Sequence, residues 1–157
     1  MQEALERLRA LDETMMPFGK TIGLAVESVV AGKAVIRAAC TPHLHNVLGY
    51  IHGGAIFSIA DTAIGLTHLA SLGNAQTATT VESRITYMRP ALGGLLRATA
   101  RVVKQGRTLS FYECDITDGA ERLMARVSAT MMTLDEERSR GRDTLHGAQI
   151  LLAAEGM

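Results

Sequence analysis

One segment governs what this chain can fold into. Residues 53–73 run GGAIFSIADTAIGLTHLASLG, apolar around most of a helical circumference, with a single formal charge, Asp61, set two turns in. A helix that is apolar on nearly every side has to be covered on nearly every side. The material to cover it lies on both flanks. Residues 22–30 and 33–39 are β-rich and join around Ala31-Gly32 as a hairpin. Four more β-prone stretches follow the helix, at residues 78–88, 95–104, 108–117 and 122–134. Pro90 with Gly93-Gly94, Gln105-Gly106 and Asp118-Gly119 separate them, each able to reverse the chain between antiparallel partners. Arg97, Thr99 and Arg101 alternate with Leu96, Ala98, Ala100 and Val102, which predicts one solvated and one buried face. Two strands, one long helix and four strands make an α+β pattern with a single helix for one sheet. A sheet curved around that helix buries more than a flat one.

At 157 residues the chain fits one domain. Its core is expected at about residues 18–134. Leu5, Leu8, Leu11 and Met15 predict a short amphipathic helix over residues 2–16, stopped by Pro17 and Gly19, and the tail 135–157 reads as a charged linker and a marginal terminal helix. Sixteen acidic and sixteen basic residues cancel, so the global charge disfavours nucleic acid as a partner. Asp61, Gly65 and His68 interrupt the long apolar segment and argue against a membrane span. The opening residues lack the apolar run of a secretory leader, so a cytoplasmic location is expected. Cys40 and Cys114 both lie in strand-like runs and are expected as buried, reduced thiols.

The stretch before the helix reads Asn46-Val47-Leu48-Gly49-Tyr50-Ile51-His52-Gly53-Gly54, and Asp61 lies nine residues after His52. Together with Ile85-Thr86-Tyr87-Met88-Arg89-Pro90-Ala91 and the turn Lys104-Gln105-Gly106-Arg107-Thr108, this pattern resembles the hotdog-fold acyl-CoA thioesterases, in particular the phenylacetate-pathway (PaaI-like) branch. The likeness runs over about residues 18–134. It implies a long helix wrapped by a six-stranded antiparallel sheet, homodimers joined through a continuous sheet or homotetramers built from them, and active sites at subunit boundaries. Asn46, His52 and the Gly53 amide would then come from one subunit, and Asp61 and Thr80 from its neighbour. Acyl-CoA would be the substrate, with no further cofactor.

The residues themselves suit that chemistry. Thioester hydrolysis requires charge stabilisation at the carbonyl oxygen, an activated water or a carboxylate nucleophile, and help for the departing thiolate. Gly53 offers an unhindered backbone N–H at a helix start, where the dipole favours negative charge, followed by a second unhindered glycine, Gly54. Asn46 offers a second donor. Asp61 is the expected general base or nucleophile, and the resemblance gives Thr80 the task of orienting the same water. His52 either assists the thiolate or holds the loop. Lys104 and Arg107 flank Gly106 as two cations for the phosphates of coenzyme A, or else as solvated hairpin charges.

Plainer readings stand beside these. Gly53-Gly54 alone fits a tight loop-to-helix turn, and Asp61 fits a helix-interior carboxylate satisfied by Ser or Thr hydroxyls. His43 and His45 near His52 lack a further ligand pattern, so no metal site is expected. Neither cysteine has a nucleophile context, and Ser58 lacks the G-x-S-x-G elbow. Gly49 and Tyr50 are expected to shape the loop, while Ile56, Phe57 and Met88 suit either core or acyl pocket. A non-catalytic acyl-CoA sensor, a hydratase of acyl thioesters and a plain scaffold are the rival functions.

Overall fold

Covering the long apolar helix decides the architecture. In the computed structural model, which describes residues 16–73 and 75–135, the elements are α1 (Pro17–Thr21), β1 (Leu24–Val30), β2 (Lys33–Cys40), a 3-10 turn (Pro42–Leu44), α2 (Gly53–Leu69), β3 (Gln76–Tyr87), β4 (Gly94–Lys104), β5 (Leu109–Asp118) and β6 (Leu123–Asp135). The strands form one antiparallel sheet in the order β1-β2-β4-β5-β6-β3. Helix α2 touches all six, so the α+β arrangement of one long helix inside a curved sheet is the one the sequence predicts. Ile56, Ile59, Ala60, Ala63 and Ile64 of the helix meet Ile36, Ala38, Leu96, Ala98, Ala100, Ile116 and Val127 of the sheet in a single core. Alanines on the sheet let the helix approach closely, and each isoleucine buried this way stabilises the fold by roughly 2 kcal/mol.

Two details depart from the sequence reading. Pro17 starts a helix instead of ending one, occupying the first helical position of α1 with Gly19 buried inside it; a proline there lacks only an N–H that would have no helical partner. The segment after β3, with Pro90 and Gly93-Gly94, does not join antiparallel neighbours. Among the described residues β3 pairs only with β6, whereas β4 lies between β2 and β5, so this connection crosses from the sheet's edge to its middle. The helix expected over residues 2–16 lies outside the described residues except for Met16, which is non-helical. Residues 136–157 also lie outside them.

The two edges of the sheet differ. β1 is 7 residues long, whereas β3 has 12. A bulge between Thr80 and Glu82 leaves Val81 out of register and 53% exposed. A long strand with one unpaired side is a template for another strand.

Candidate active site at the start of the long helix

The loop before α2 folds onto Asn46. Its Oδ1 accepts from the backbone amides of Leu48 at 2.9 Å and Tyr50 at 3.3 Å, and its own N–H donates to the Tyr50 carbonyl at 2.7 Å. Gly49 makes this turn possible by adopting φ +79°. With Oδ1 engaged, the side-chain amide group Nδ2 is the donor Asn46 has left for a ligand.

His52 caps the helix, its Nδ1 accepting from the Gly54 amide at 2.9 Å. A backbone amide can only donate, so in the neutral ring Nδ1 is bare and the proton sits on Nε2. The Gly53 N–H, first of the helix, has no partner among the described residues and lies where the helix dipole is positive. Tyr87 presses against the same turn. Its hydroxyl donates to the Gly53 carbonyl at 2.8 Å, and a Cβ added to Gly53 would sit 2.9 Å from that hydroxyl. Asn46, Tyr50, Gly53, Ile56, Tyr87 and Met88 line part of an open cleft of about 370 Å³.

Asp61 lies eight residues along α2 from Gly53, a rise of about 12 Å. It is half-buried, less so than an apolar helix all round would predict. Thr80 of β3 donates to its Oδ1 at 3.3 Å, and its Oδ2 has no partner among the described residues. The helix's own hydroxyls do not satisfy it: Ser58 donates to the Gly54 carbonyl and Thr62 to the Ser58 carbonyl. Within one chain, therefore, Asn46, His52 and Gly53 form one cluster and Asp61 and Thr80 another.

Lys104, Gly106 and Arg107 form a third group, exposed, with neither cation in an ion pair or hydrogen bond among the described residues. Gly106 bonds through its amide to Ser110 Oγ at 3.2 Å, and a Cβ there would lie 2.3 Å from the Leu109 carbonyl, so the turn requires glycine. The start of β4 is registered against Cys40, beside the Asn46 loop, and Lys104 lies at its other end. The length of β4, about 30 Å, thus separates this turn from the cleft in a single chain.

Other candidates have their groups engaged elsewhere. His43 uses both ring nitrogens, on the Thr41 hydroxyl and the Thr21 carbonyl. Cys40 and Cys114 are free and buried, and burial pushes their thiols up to about 11 and about 12. A thiolate nucleophile is therefore disfavoured at either. Tyr87 is the site neighbour that residue-level reading misses. Tyrosine at a strand end is ordinary, and nothing local in the sequence says that its hydroxyl reaches back to residue 53.

Known proteins resemble this chain in sequence and in fold. Residues 48–125 match the thioesterase superfamily. Over 109 residues the chain is 30% identical to 1,4-dihydroxy-2-naphthoyl-CoA hydrolase of Listeria monocytogenes, covering 69% of this chain and 89% of that protein. It is 33% identical to the acyl-coenzyme A thioesterase PaaI of Escherichia coli over 68% of this chain and 74% of that one. Among solved structures, the conserved protein PA5202 of Pseudomonas aeruginosa superposes with a TM-score of 0.73 at 33% identity, over 78% of this chain and 98% of that one. The E. coli PaaI protein superposes with a TM-score of 0.74 at 25% identity, over 85% and 92%.

Proposed function

Because this chain belongs to the thioesterase superfamily, we propose that it is a cytoplasmic enzyme that hydrolyses an acyl-CoA or aryl-CoA thioester to the free acid and coenzyme A. One observation carries the reading: the donor cluster at the helix start and the Asp61–Thr80 pair are complementary but lie apart in one chain, each in contact with β3, whose outer edge pairs with no strand among the described residues. Two copies pairing antiparallel through β3, centred between Ser83 and Arg84, would bring Thr80 of one copy across from Tyr87 of the other. The boundary would then hold two equivalent sites, each with one donor cluster and one carboxylate. This supports a homodimer, or a homotetramer made of such dimers, as the working form.

At that boundary the Gly53 N–H and Asn46 Nδ2 would receive the thioester oxygen and stabilise it as negative charge develops. Asp61 of the other copy acts as general base or as nucleophile, with Thr80 holding the carboxylate and the water. In the general-base form the water oxygen bonds to the carbonyl carbon, its proton passes to Asp61, the carbon–sulfur bond breaks, and the proton goes on to the thiolate. His52 presents its Nε2–H to the departing sulfur. Lys104 and Arg107 are assigned to the coenzyme A phosphates. The chemistry needs protein groups and water only, coenzyme A being part of the substrate.

The test is thiol release across aromatic and straight-chain acyl-CoA substrates, for the native protein and Asp61→Asn. Turnover of at least one class, lost in a variant with native oligomeric state, is expected. Binding without thiol release across the panel would refute the hydrolase reading.

A further inference from the structure

Four groups at the start of α2 form one continuous hydrogen-bonded chain. The Tyr87 hydroxyl donates to the Gly53 carbonyl at 2.8 Å. That carbonyl and the Gly54 N–H are the two ends of a single peptide unit, and the Gly54 N–H donates to His52 Nδ1 at 2.9 Å. A donor on a carbonyl oxygen polarises the amide and makes its N–H a stronger donor. Every bond in the series points the same way, from the phenol through one peptide to the imidazole, and it ends on the exposed ring's Nε2–H.

We propose that Tyr87 is a positioning residue for this active site: through the Gly53–Gly54 peptide it fixes His52 as a neutral Nε2–H donor and holds the first turn of α2 so that the Gly53 N–H faces the cleft. The proposal rests on the hydrolase reading for its effect on rate, but not for its effect on geometry. Steric fit supports it independently. The ring lies so close to Gly53 that a Cβ there would meet the hydroxyl at 2.9 Å and Cζ at 3.0 Å, so the turn and the ring hold each other in place. Burial raises the Tyr87 phenol above the usual tyrosine range, which keeps it a proton donor through neutral pH. A tyrosine that only filled space would need neither the inward hydroxyl nor the glycine beneath it.

The experiment is Tyr87→Phe, which keeps the ring and removes only the oxygen. Two readouts are taken on the full chain. In kinetics with an acyl-CoA that the native protein turns over, kcat falls about tenfold while KM stays within about twofold, since the lost alignment acts in the transition state. In amide proton–nitrogen spectra, the Gly54 proton moves upfield as its bond to His52 weakens, while resonances from the middle of α2 stay in place. An unmoved Gly54 signal overturns the proposal, even if the rate falls, because Tyr87 would then be acting without the peptide; so does an unchanged kcat in an active protein. If the native protein hydrolyses no thioester, the hydrolase reading fails, and the Gly54 signal alone still decides whether Tyr87 positions His52.

Discussion

The two halves of helix α2 treat their polar residues in opposite ways. Near its C-terminal end His68 is fully buried, with the Tyr112 hydroxyl 2.6 Å from Nδ1 and the Thr133 hydroxyl 3.1 Å from Nε2. The Tyr112 ring meets it edge-on at 86°. Both ring nitrogens are satisfied, and the group is sealed from ligand. In the N-terminal part, His52 is exposed with one nitrogen committed, and among the described residues the Gly53 N–H has no partner and Asp61 holds a single 3.3 Å bond from Thr80. One helix therefore carries a saturated polar cluster that specifies packing and an unsaturated one suited to a substrate. Saturation within the chain, more than residue type, separates the two.

The largest contrast is expected from Asp61. Asp61→Asn should lower kcat by about a thousandfold or more with the melting temperature nearly unchanged, as for a group acting mainly in the transition state; steady-state kinetics beside calorimetry would measure both. Gly53→Ala comes next. The added methyl displaces Tyr87 and should cost about tenfold to a hundredfold in kcat, while leaving secondary structure intact by circular dichroism.

His68→Leu should invert the pattern. It leaves the buried Tyr112 hydroxyl and the half-buried Thr133 hydroxyl without their histidine partner and should destabilise the protein by about 2 kcal/mol in urea unfolding, with kcat preserved well below the midpoint. The same residue sets a pH dependence. Burial lowers the His68 pKa in the folded state, so the unfolded chain binds a proton more readily. The stabilisation is whole above the unfolded value of about 6.5 and falls as pH drops below it towards the folded value. Unfolding midpoints at pH 7.5 and pH 5.5 should differ in the native protein and differ less in His68→Leu. The smallest effect belongs to the Lys104–Arg107 turn. Replacing both cations with Ala should raise KM for acyl-CoA about fivefold with kcat little changed, and the native KM should rise with salt as screening grows.

Much of the fold was legible because its signals are local. Apolar periodicity marks α2, and alternation such as Arg97-Ala98-Thr99-Ala100 marks β4, which the structure bears out with Ala98 and Ala100 fully buried. Strand order was not legible, since pairing β3 with β6 depends on contacts far apart in sequence that the turn residues at 90–94 do not encode. At the candidate site, Asn46, His52, Gly53 and Asp61 stood out as polar or glycine residues in an apolar setting. Tyr87 entered only within the strand-end stretch that carries the resemblance, with no role of its own, because its part depends on where β3 ends relative to the first turn of α2. His68 resembles His52 in the sequence, and only the positions of Tyr112 and Thr133 reveal that its nitrogens are taken.

The central claim is that catalysis joins the Asn46–His52–Gly53 cluster of one copy to Asp61 of another. Mixing subunits tests it most directly. Asp61→Asn and His52→Ala proteins, each inactive alone, are unfolded together and refolded at equal concentration, and thiol release is assayed. If the site is shared, half the dimers are mixed and each carries one intact site, so activity should return to about a quarter of native. Activity that stays at the level of the two variants assayed separately would contradict the account.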